Sequence, residues 1–500
     1  MKVAIVYPPF SKIGKIAFLS QNRYFKYSNS REVALYPVVL ATAATMLKDD
    51  GHKVLWLDGI NEGLSFEEFD RQLAAFKPDL VVAETKAPVV KKHWEFFAHC
   101  RECLPEARLV AIGDHVTLFP EETLLRSPVD FVLTGGDYDF LLRNLTRYLP
   151  DRVADLEPGI WYRRNAQVAS TGPFELDHDL DATPLIDREL TKWWLYKEAD
   201  FYEPSARVMF GRGCGGIGGR AGFCTFCIWV HSLWKRGWRL RSPAHCVREV
   251  TNLVENYGVR EIFDDTDGGA CFDKHWLEGF HEEMKVQGLL GKVFISSNVR
   301  ADVLQDPEVC KLMVDAGYRM VKPGVEAGTD QTLRRIGKDA TVAQIVNGVK
   351  TAKDHGLVIH LSAMVGYPWE TEEDAQRTYE VMKELMLYKT RAGDSLQASI
   401  AMPYPGTPLW RMAVKNGWLT IQEDEYEKLD MDGPVMKTNG VDACAWTKKL
   451  WALHYDPRFI LRSLVTIRNW DDVALLTRGL RSQLGHFKDY ARDGVLGLLR

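Results

Sequence analysis

The chain is poor in cysteine, with nine among 500 residues, an odd number. That count excludes a disulfide framework and leaves metal or redox chemistry for any cysteines that cluster. A basic excess is also missing: 63 Lys and Arg stand against 68 Asp and Glu, a net charge of −5. Nucleic acid and anionic membrane surfaces are therefore not expected as partners. No apolar run is long enough to cross a bilayer, and the opening MKVAIVYPPF reads as a strand, not a signal peptide. A cytoplasmic protein is expected. There is no low-complexity tract and no repeat of about 20–50 residues. What remains is a globular composition, 46% hydrophobic and 26% charged, with length for about two to four domains.

The first 150 residues alternate strand and helix. Apolar runs occur at KVAIVYPP, HKVLWLD, DLVVAE, ARLVAIG and VDFVLTGG, with helical stretches between them. Strands apolar on both faces and separated by helices predict an α/β domain, a doubly wound, Rossmann-like parallel sheet over 1–150. Ligands of such sheets sit beyond the strands' carboxyl ends. Here those ends carry Tyr7–Pro8–Pro9, Asp58–Gly59, Gly113–Asp114–His115 and Thr134–Gly135–Gly136. The glycines allow a large planar ligand to approach the backbone.

Residues 151–205 are irregular and read as a connecting segment. A second alternation runs from 206 to 410. Its strands are RVMFGR, EIFDD, KVFISSNVR, RMVKPGVEAG, LVIHLSAMVGYP and SLQASIAMPYP, and its helices open at Ser242–Pro243 and Asp306–Pro307. Six βα repeats fall short of the eight of a closed TIM barrel and predict a partial (β/α)6 barrel, open on one side. Residues 411–500 are helical in pattern and read as a cap.

Three cysteines stand out in VMFGRGCGGIGGRAGFCTFCIW: Cys214, Cys224 and Cys227. Thiolates gather only where a positive centre offsets their repulsion. Three ligands leave one metal position open for a substrate or cofactor. Two other readings stay open: Cys214 as an ordinary buried cysteine, and a zinc site completed by His231 or Cys246. The same stretch matches the dinucleotide fingerprint at Gly211-x-Gly213-x-x-Gly216. The FCTFCIW that follows is no helix with an acidic partner, so nicotinamide binding is rejected.

On GRGC…CTFCIW, RSPAHCVREVTNLVENYGVREIFDDTD, KPGVEAGTDQTLRRIGKDAT, AMVGYPWET and MPYPGTPLW, with LYPVVLATAATML, GDHVTLFPEETL and DFVLTGGDYD before them, the chain resembles the B12-binding-domain radical S-adenosylmethionine (SAM) enzymes. That group includes cobalamin-dependent carbon methylases and the magnesium-porphyrin ring cyclase. The resemblance covers nearly the whole chain. It implies a [4Fe–4S] cluster on Cys214, Cys224 and Cys227, with SAM on the fourth iron, cleaved by one electron to a 5′-deoxyadenosyl radical. It places Phe226 against the adenine and Asp265–Thr266–Asp267 at the SAM amino group. Ser297, Asn298, Arg300, Glu326 and Val365–Gly366 are further implied SAM contacts. Cobalamin is implied at the strand ends carrying Gly113, Thr134 and Gly135.

Two departures stand. The family spaces its cysteines x3 then x2, and here the first gap is x9. The Asp-x-His-x-x-Gly signature that supplies a histidine to cobalt is absent after the first strand, leaving His115 as the one histidine at a strand end of that domain. Among lesser features, Cys100 and Cys103, His355 and His360, and Cys444 read as structural. Trp193, Trp194, Trp229, Trp234 and Trp238 read equally as core and as the barrel mouth. The implied function is cobalamin-dependent radical methyl transfer to an unactivated carbon of a small metabolite, with flavodoxin or ferredoxin as electron donor. The alternatives are radical cyclisation, rearrangement or dehydrogenation, and a non-catalytic cobalamin or metal sensor.

Overall fold

The structure is a computed structural model that describes residues 1–20, 22–29, 32–149, 155–164, 167–214, 224–235, 237–267, 269 and 273–490. Two parallel sheets organise it. The first has seven strands: β1 (Lys2–Tyr7), β2 (Lys53–Asp58), β3 (Leu80–Glu84), β4 (Arg108–Ile112), β5 (Phe131–Leu133), β6 (Ile160–Arg164) and β7 (Gln167–Ser170). Their order across the sheet is β7–β6–β5–β4–β3–β1–β2. The first five are parallel, and β6 and β7 add an antiparallel edge. The 5-4-3-1-2 order puts the topological switch between β1 and β3, where ligands of doubly wound sheets bind. Val3–Val6, Leu80–Ala83 and Leu109–Ile112 are fully buried, as strands covered by helices on both faces must be. The expected boundary at residue 150 falls short of β6 and β7; β7 is the edge strand, and both are short and half-exposed, which weakens their strand signal.

The second sheet holds β8 (Ser205–Val208), β9 (Glu261–Asp264), β10 (Phe294–Val299), β11 (Tyr318–Glu326), β12 (Val358–Val365) and β13 (Ser395–Ile400). They pair in chain order, all parallel. This is the six-repeat, open half-barrel the sequence predicts. Its helices start where their caps put them. Ser242 accepts from His245 N at 3.2 Å ahead of Pro243, and Asp306 accepts from Glu308 N at 2.9 Å ahead of Pro307. Thr341 and Thr371 close capping boxes on Gln344 and Asp374. No helix of the described residues is long and apolar enough to cross a membrane.

The C-terminal region binds the two sheets together. Met402, Tyr404, Trp410, Tyr426, Leu429, Met431 and Val435 pack into the core of the first sheet. Met436, Val441, Trp446, Leu450 and Trp451 pack into the core of the half-barrel. A second tie is ionic. Arg212 lies 2.9 Å from Asp137 Oδ1 and 2.5 Å from Asp139 Oδ2, all three buried, joining the segment before Cys214 to the loop after β5. Arg212→Met strands the buried carboxylate of Asp139, while Asp137 keeps Arg239 at 2.7 Å and His178 at 3.1 Å. The expected cost is about 3–5 kcal/mol, read as a lowered urea midpoint, and an unchanged midpoint refutes the tie.

Candidate functional site

The cluster segment is pinned from both sides. Gly211–Gly213 pairs antiparallel with Trp238–Leu240, and Gly213 has φ +93°. A Cβ there would stand 1.8 Å from the Gly237 carbonyl oxygen, so only glycine brings Cys214 to its place. Cys224 and Cys227 sit on one tight turn, with Cys227 N donating to Cys224 O at 3.1 Å. Between them Thr225 N donates to Ile336 O at 2.7 Å and Thr225 O accepts from Leu409 N at 3.0 Å, fixing the turn to the half-barrel. The GGIGGRAGF loop, residues 215–223, lies outside the described residues.

Cys214, Cys224, Phe226 and Cys227 line one wall of a cavity of about 340 Å³ running down the inside of the half-barrel. Asp265, Asp267, Asn298, Arg300 and Glu326 line it as well, from the carboxyl ends of β9, β10 and β11. Ser297 does not: strand alternation turns it to Asp264 Oδ2 at 3.2 Å, and its neighbour Asn298 faces the cavity. Gly366 lies outside the lining too, facing Ala443 of the C-terminal helix Ala443–Trp451. Of the residues at the ends of the first sheet, Thr134 Oγ1 donates to Gly159 O at 2.7 Å, and Gly135 and Gly113 pack on Phe174 and the Thr85 carbonyl. Gly136 meets Trp234. Protein contacts thus account for these glycines.

Burial pushes the thiols of Cys214 and Cys227 up to about 12, with Asp267 and Cys224 adding to both. Such thiols stay protonated unless a cation takes the proton's place. Of the positive groups that line the cavity, Arg300 and Lys338 pull on the thiols of Cys214 and Cys224 and Arg23 on that of Cys227. Among the described residues no three His, Cys, Asp or Glu converge as they would around a single ion. In a four-iron cluster each thiolate binds a different iron, so such convergence is not needed. The fourth ligands considered for zinc are otherwise engaged. His231 Nε2 donates to Cys224 O at 3.2 Å, and Cys246 is buried in the half-barrel core.

The acidic groups are held unequally. Asp265 is saturated by Arg207 at 2.7 Å and Asn298 at 3.0 Å. Asp267 takes Arg23 Nε on Oδ1 at 2.5 Å, and its buried Oδ2 makes no hydrogen bond of full geometry among the described residues, with the Trp234 indole also drawing on the carboxyl. Burial raises its carboxyl to about 6, against the pull of Arg23. Glu326 ends β11 with φ +64°, left-handed for a residue with a Cβ, and accepts from Lys338 Nζ at 3.0 Å. Strain of this kind persists where a site requires it.

Several lining residues escaped the sequence analysis: Arg23, Glu198, Asp200, Arg207, Lys322 and Lys338. A signal existed for Lys322, which precedes Gly324 and Glu326 at the two-residue period of the inward face. Arg23 lies in the irregular loop after β1 and had none. His360, read as structural, lines the cavity beside Asp200. Trp229 lines it as well, under the Arg23 guanidinium at 4.9 Å, whereas Trp234 is core.

A model of the radical SAM superfamily matches residues 208–382. An uncharacterized methyltransferase of Pyrococcus horikoshii is 30% identical over 406 residues, 80% of this chain and 83% of that protein. An anaerobic magnesium-protoporphyrin IX monomethyl ester cyclase of Cereibacter sphaeroides is 26% identical over 393 residues, 76% of this chain and 60% of that one. Among solved structures, the radical SAM methyltransferase TsrM of Kitasatospora setae, with cobalamin and a [4Fe–4S] cluster bound, matches at TM-score 0.67 and 16% identity. The match spans 97% of this chain and 99% of that one. The cobalamin-dependent SAM radical enzyme OxsB matches at TM-score 0.66 and 15% identity, over 97% and 72%. The fold is that of cobalamin-type radical SAM enzymes. The chain belongs to the radical SAM superfamily, in one family with the Pyrococcus methyltransferase, and is an enzyme.

Glu370 ties the Gly366 turn down, accepting from Gly366 N at 2.7 Å and Tyr367 N at 3.0 Å, and burial raises its carboxyl to about 7. A carboxyl raised on folding contributes stability that is full below its unfolded pKa near 4.5 and is lost as pH rises toward 7. Glu370→Gln is expected to remove a loss of the order of 3 kcal/mol over that window, seen by comparing denaturation midpoints of the two proteins at pH 5 and pH 7.5. Parallel pH profiles disprove it.

Proposed function

We propose that this enzyme transfers a methyl group to an unactivated carbon of a small molecule, using a [4Fe–4S] cluster, SAM and cobalamin. The observation that carries the reading is one cavity lined both by three half-buried cysteines and by Asp267, whose Oδ2 makes no hydrogen bond of full geometry among the described residues. The thiols suit three irons. Asp267 Oδ2 suits the ammonium of a SAM held on the fourth, with Asn298, Arg300 and Glu326 around the remainder and Phe226 against the adenine. For cobalamin the support lies at the carboxyl ends of β3 and β4. Thr85 Oγ1 and His115 Nδ1 are buried there without hydrogen-bond partners among the described residues, and His115 Nε2 has only Glu122 Oε2 at 3.5 Å. These are polar atoms suited to a polar ligand. His115 itself is packed between Phe119 and Tyr426, which favours a packing role over a bond to cobalt.

When bound, the cluster supplies the electron that cleaves SAM, and cobalamin supplies the methyl group. The chain's own work is placement and exclusion of water. Arg23, Arg300 and Lys338 put positive charge on the thiolate wall. The C-terminal region closes the chamber through Trp451, His454 and Ser482. The reaction needs a one-electron donor, for which flavodoxin or ferredoxin is the proposed class. Enclosure of the chamber supports a small-molecule substrate.

The test is anaerobic reconstitution with iron, sulfide and cobalamin, followed by product analysis. S-adenosylhomocysteine and 5′-deoxyadenosine in step with each other support methyl transfer. Deoxyadenosine alone assigns the chain to radical cyclisation, rearrangement or dehydrogenation without methyl transfer. Cys214→Ala, Cys224→Ala and Cys227→Ala are each expected to lose the SAM-cleaving cluster, by iron content and visible spectrum. A variant that keeps it removes that cysteine from the ligand set. Asp267→Asn is expected to weaken SAM binding about tenfold, the scale of a lost charge-assisted hydrogen bond, by equilibrium dialysis.

A further inference from the structure

The deep end of the cavity holds charges that the reading above leaves unused. Lys322 is four residues before Glu326, about 13 Å lower on β11 at 3.3 Å per residue. Its side chain is 14% exposed, and its Nζ makes no hydrogen bond among the described residues. The nearest charged oxygens are Glu198 Oε2 at 3.8 Å and Asp200 Oδ2 at 3.9 Å, beyond hydrogen-bonding reach. The rings of Phe201 and Phe263 lie 4.7 and 4.8 Å from it. Glu198 gives its other oxygen to Arg207. Asp200 faces His360 Nδ1 at 3.3 Å, and that nitrogen is 2.7 Å from Ser395 Oγ.

A buried ammonium is costly when its donors are idle. Ion pairs at these separations stabilise the charge and still leave three N–H groups for a ligand. The charge balance says which ligand. At the floor itself Lys322 and Arg207 face Glu198 and Asp200, with His360 3.3 Å from Asp200, while above it Arg207 and Arg23 are shared with Asp265 and Asp267. A lone carboxylate docked on Lys322 buries an uncompensated negative charge beside two carboxylates. A lone amine buries a positive one beside two cations. Either is penalised in a low dielectric. A head group carrying both charges on adjacent atoms leaves the floor neutral. It offers an acceptor to Lys322 and donors to Glu198 and Asp200.

Resting on the reading of this cavity as the substrate chamber, we propose that its floor is a subsite for an amino-acid-type zwitterion, with Lys322 receiving the carboxylate and Glu198 and Asp200 the ammonium. The rest of the substrate then extends upward along Met364, Leu396 and Met402 toward the cysteine wall. Substrate is thus anchored from below, and the position that reacts is set by how far it reaches from that anchor.

The test uses the full chain, anaerobically loaded with cluster and SAM, and titration calorimetry. The probes are L-tryptophan, L-phenylalanine and L-leucine, each beside its des-amino acid and its decarboxylated amine. At least one amino acid is expected to bind at least about tenfold tighter than both singly charged analogues. Lys322→Met is expected to weaken that binding by about tenfold or more and to leave the corresponding amine unaffected. Asp200→Asn is expected to weaken the amino acid and spare the des-amino acid. The iron content of each variant reports that the chamber has formed. Equal binding of a singly charged analogue, no binding of any amino acid in the millimolar range, or indifference to Lys322→Met overturns the proposal and leaves Lys322 as part of a structural plug. Failure of methyl transfer alone, with these affinities as expected, overturns the reaction and not the subsite.

Discussion

A parallel sheet that stops at six strands cannot close on itself, and the remainder of this molecule answers that constraint. Its edges, β8 and β13, stay apart, and its concave face is left uncovered. The loop after β1 covers the upper side with Phe18, Asn22 and Arg23. The segment before β8 closes the floor with Glu198, Ala199 and Asp200, and Arg478 of the helix Trp470–Tyr490 clasps it by donating to Phe201 O at 2.6 Å. The C-terminal region supplies the side. What would be an edge liability in a simple sheet is here an enclosed chamber of about 340 Å³.

Enclosure sets the electrostatics. In the chamber a charge without a counter-charge is expensive, and most charges have one: Arg207 with Asp265, Lys338 with Glu326, Arg300 with Asp302. Against this background the exceptions carry information. The thiols ionise only with a cation in the proton's place. Asp267 Oδ2 and the Lys322 ammonium make no hydrogen bond of full geometry among the described residues, although Lys322 has Glu198 and Asp200 as ion-pair partners. Each matches one of the proposed partners: metal for the thiols, the SAM ammonium for Asp267, and a zwitterion for the floor. Burial lowers the Lys322 ammonium to about 8, with Asp200 opposing the shift and Arg207 adding to it.

Much of this was legible in the sequence, because it follows from periodicity and spacing. Apolar strand runs, Ser-Pro and Asp-Pro helix starts and a count of six repeats each reflect local physics. The cysteine trio did so through its chemistry. What was not legible depends on convergence in space. Arg23 sits in an irregular loop some 240 residues from its partner Asp267, at a separation of 244. Glu198 and Asp200 belong to a segment without a pattern. Strands β6 and β7 were missed because they are short and half-exposed, which weakens the apolar alternation that marks a strand. Gly113 and Gly135 were read for a ligand's approach and are filled by neighbouring protein. A small residue reports only that something lies close.

The shared core has a consequence for how the chain is made. Tyr404, Trp410, Tyr426, Leu429 and Met431 complete the core of a sheet whose first strand is Lys2–Tyr7. During synthesis the N-terminal unit emerges first, yet part of its apolar surface stays bare until some four hundred residues later. Such exposed intermediates are prone to aggregation. The cofactors face the same order of events, because no metal wall, rim or floor is whole until the last helices arrive. Assembly of the chamber is therefore a late, all-at-once step, with loading of its contents bound to follow translation.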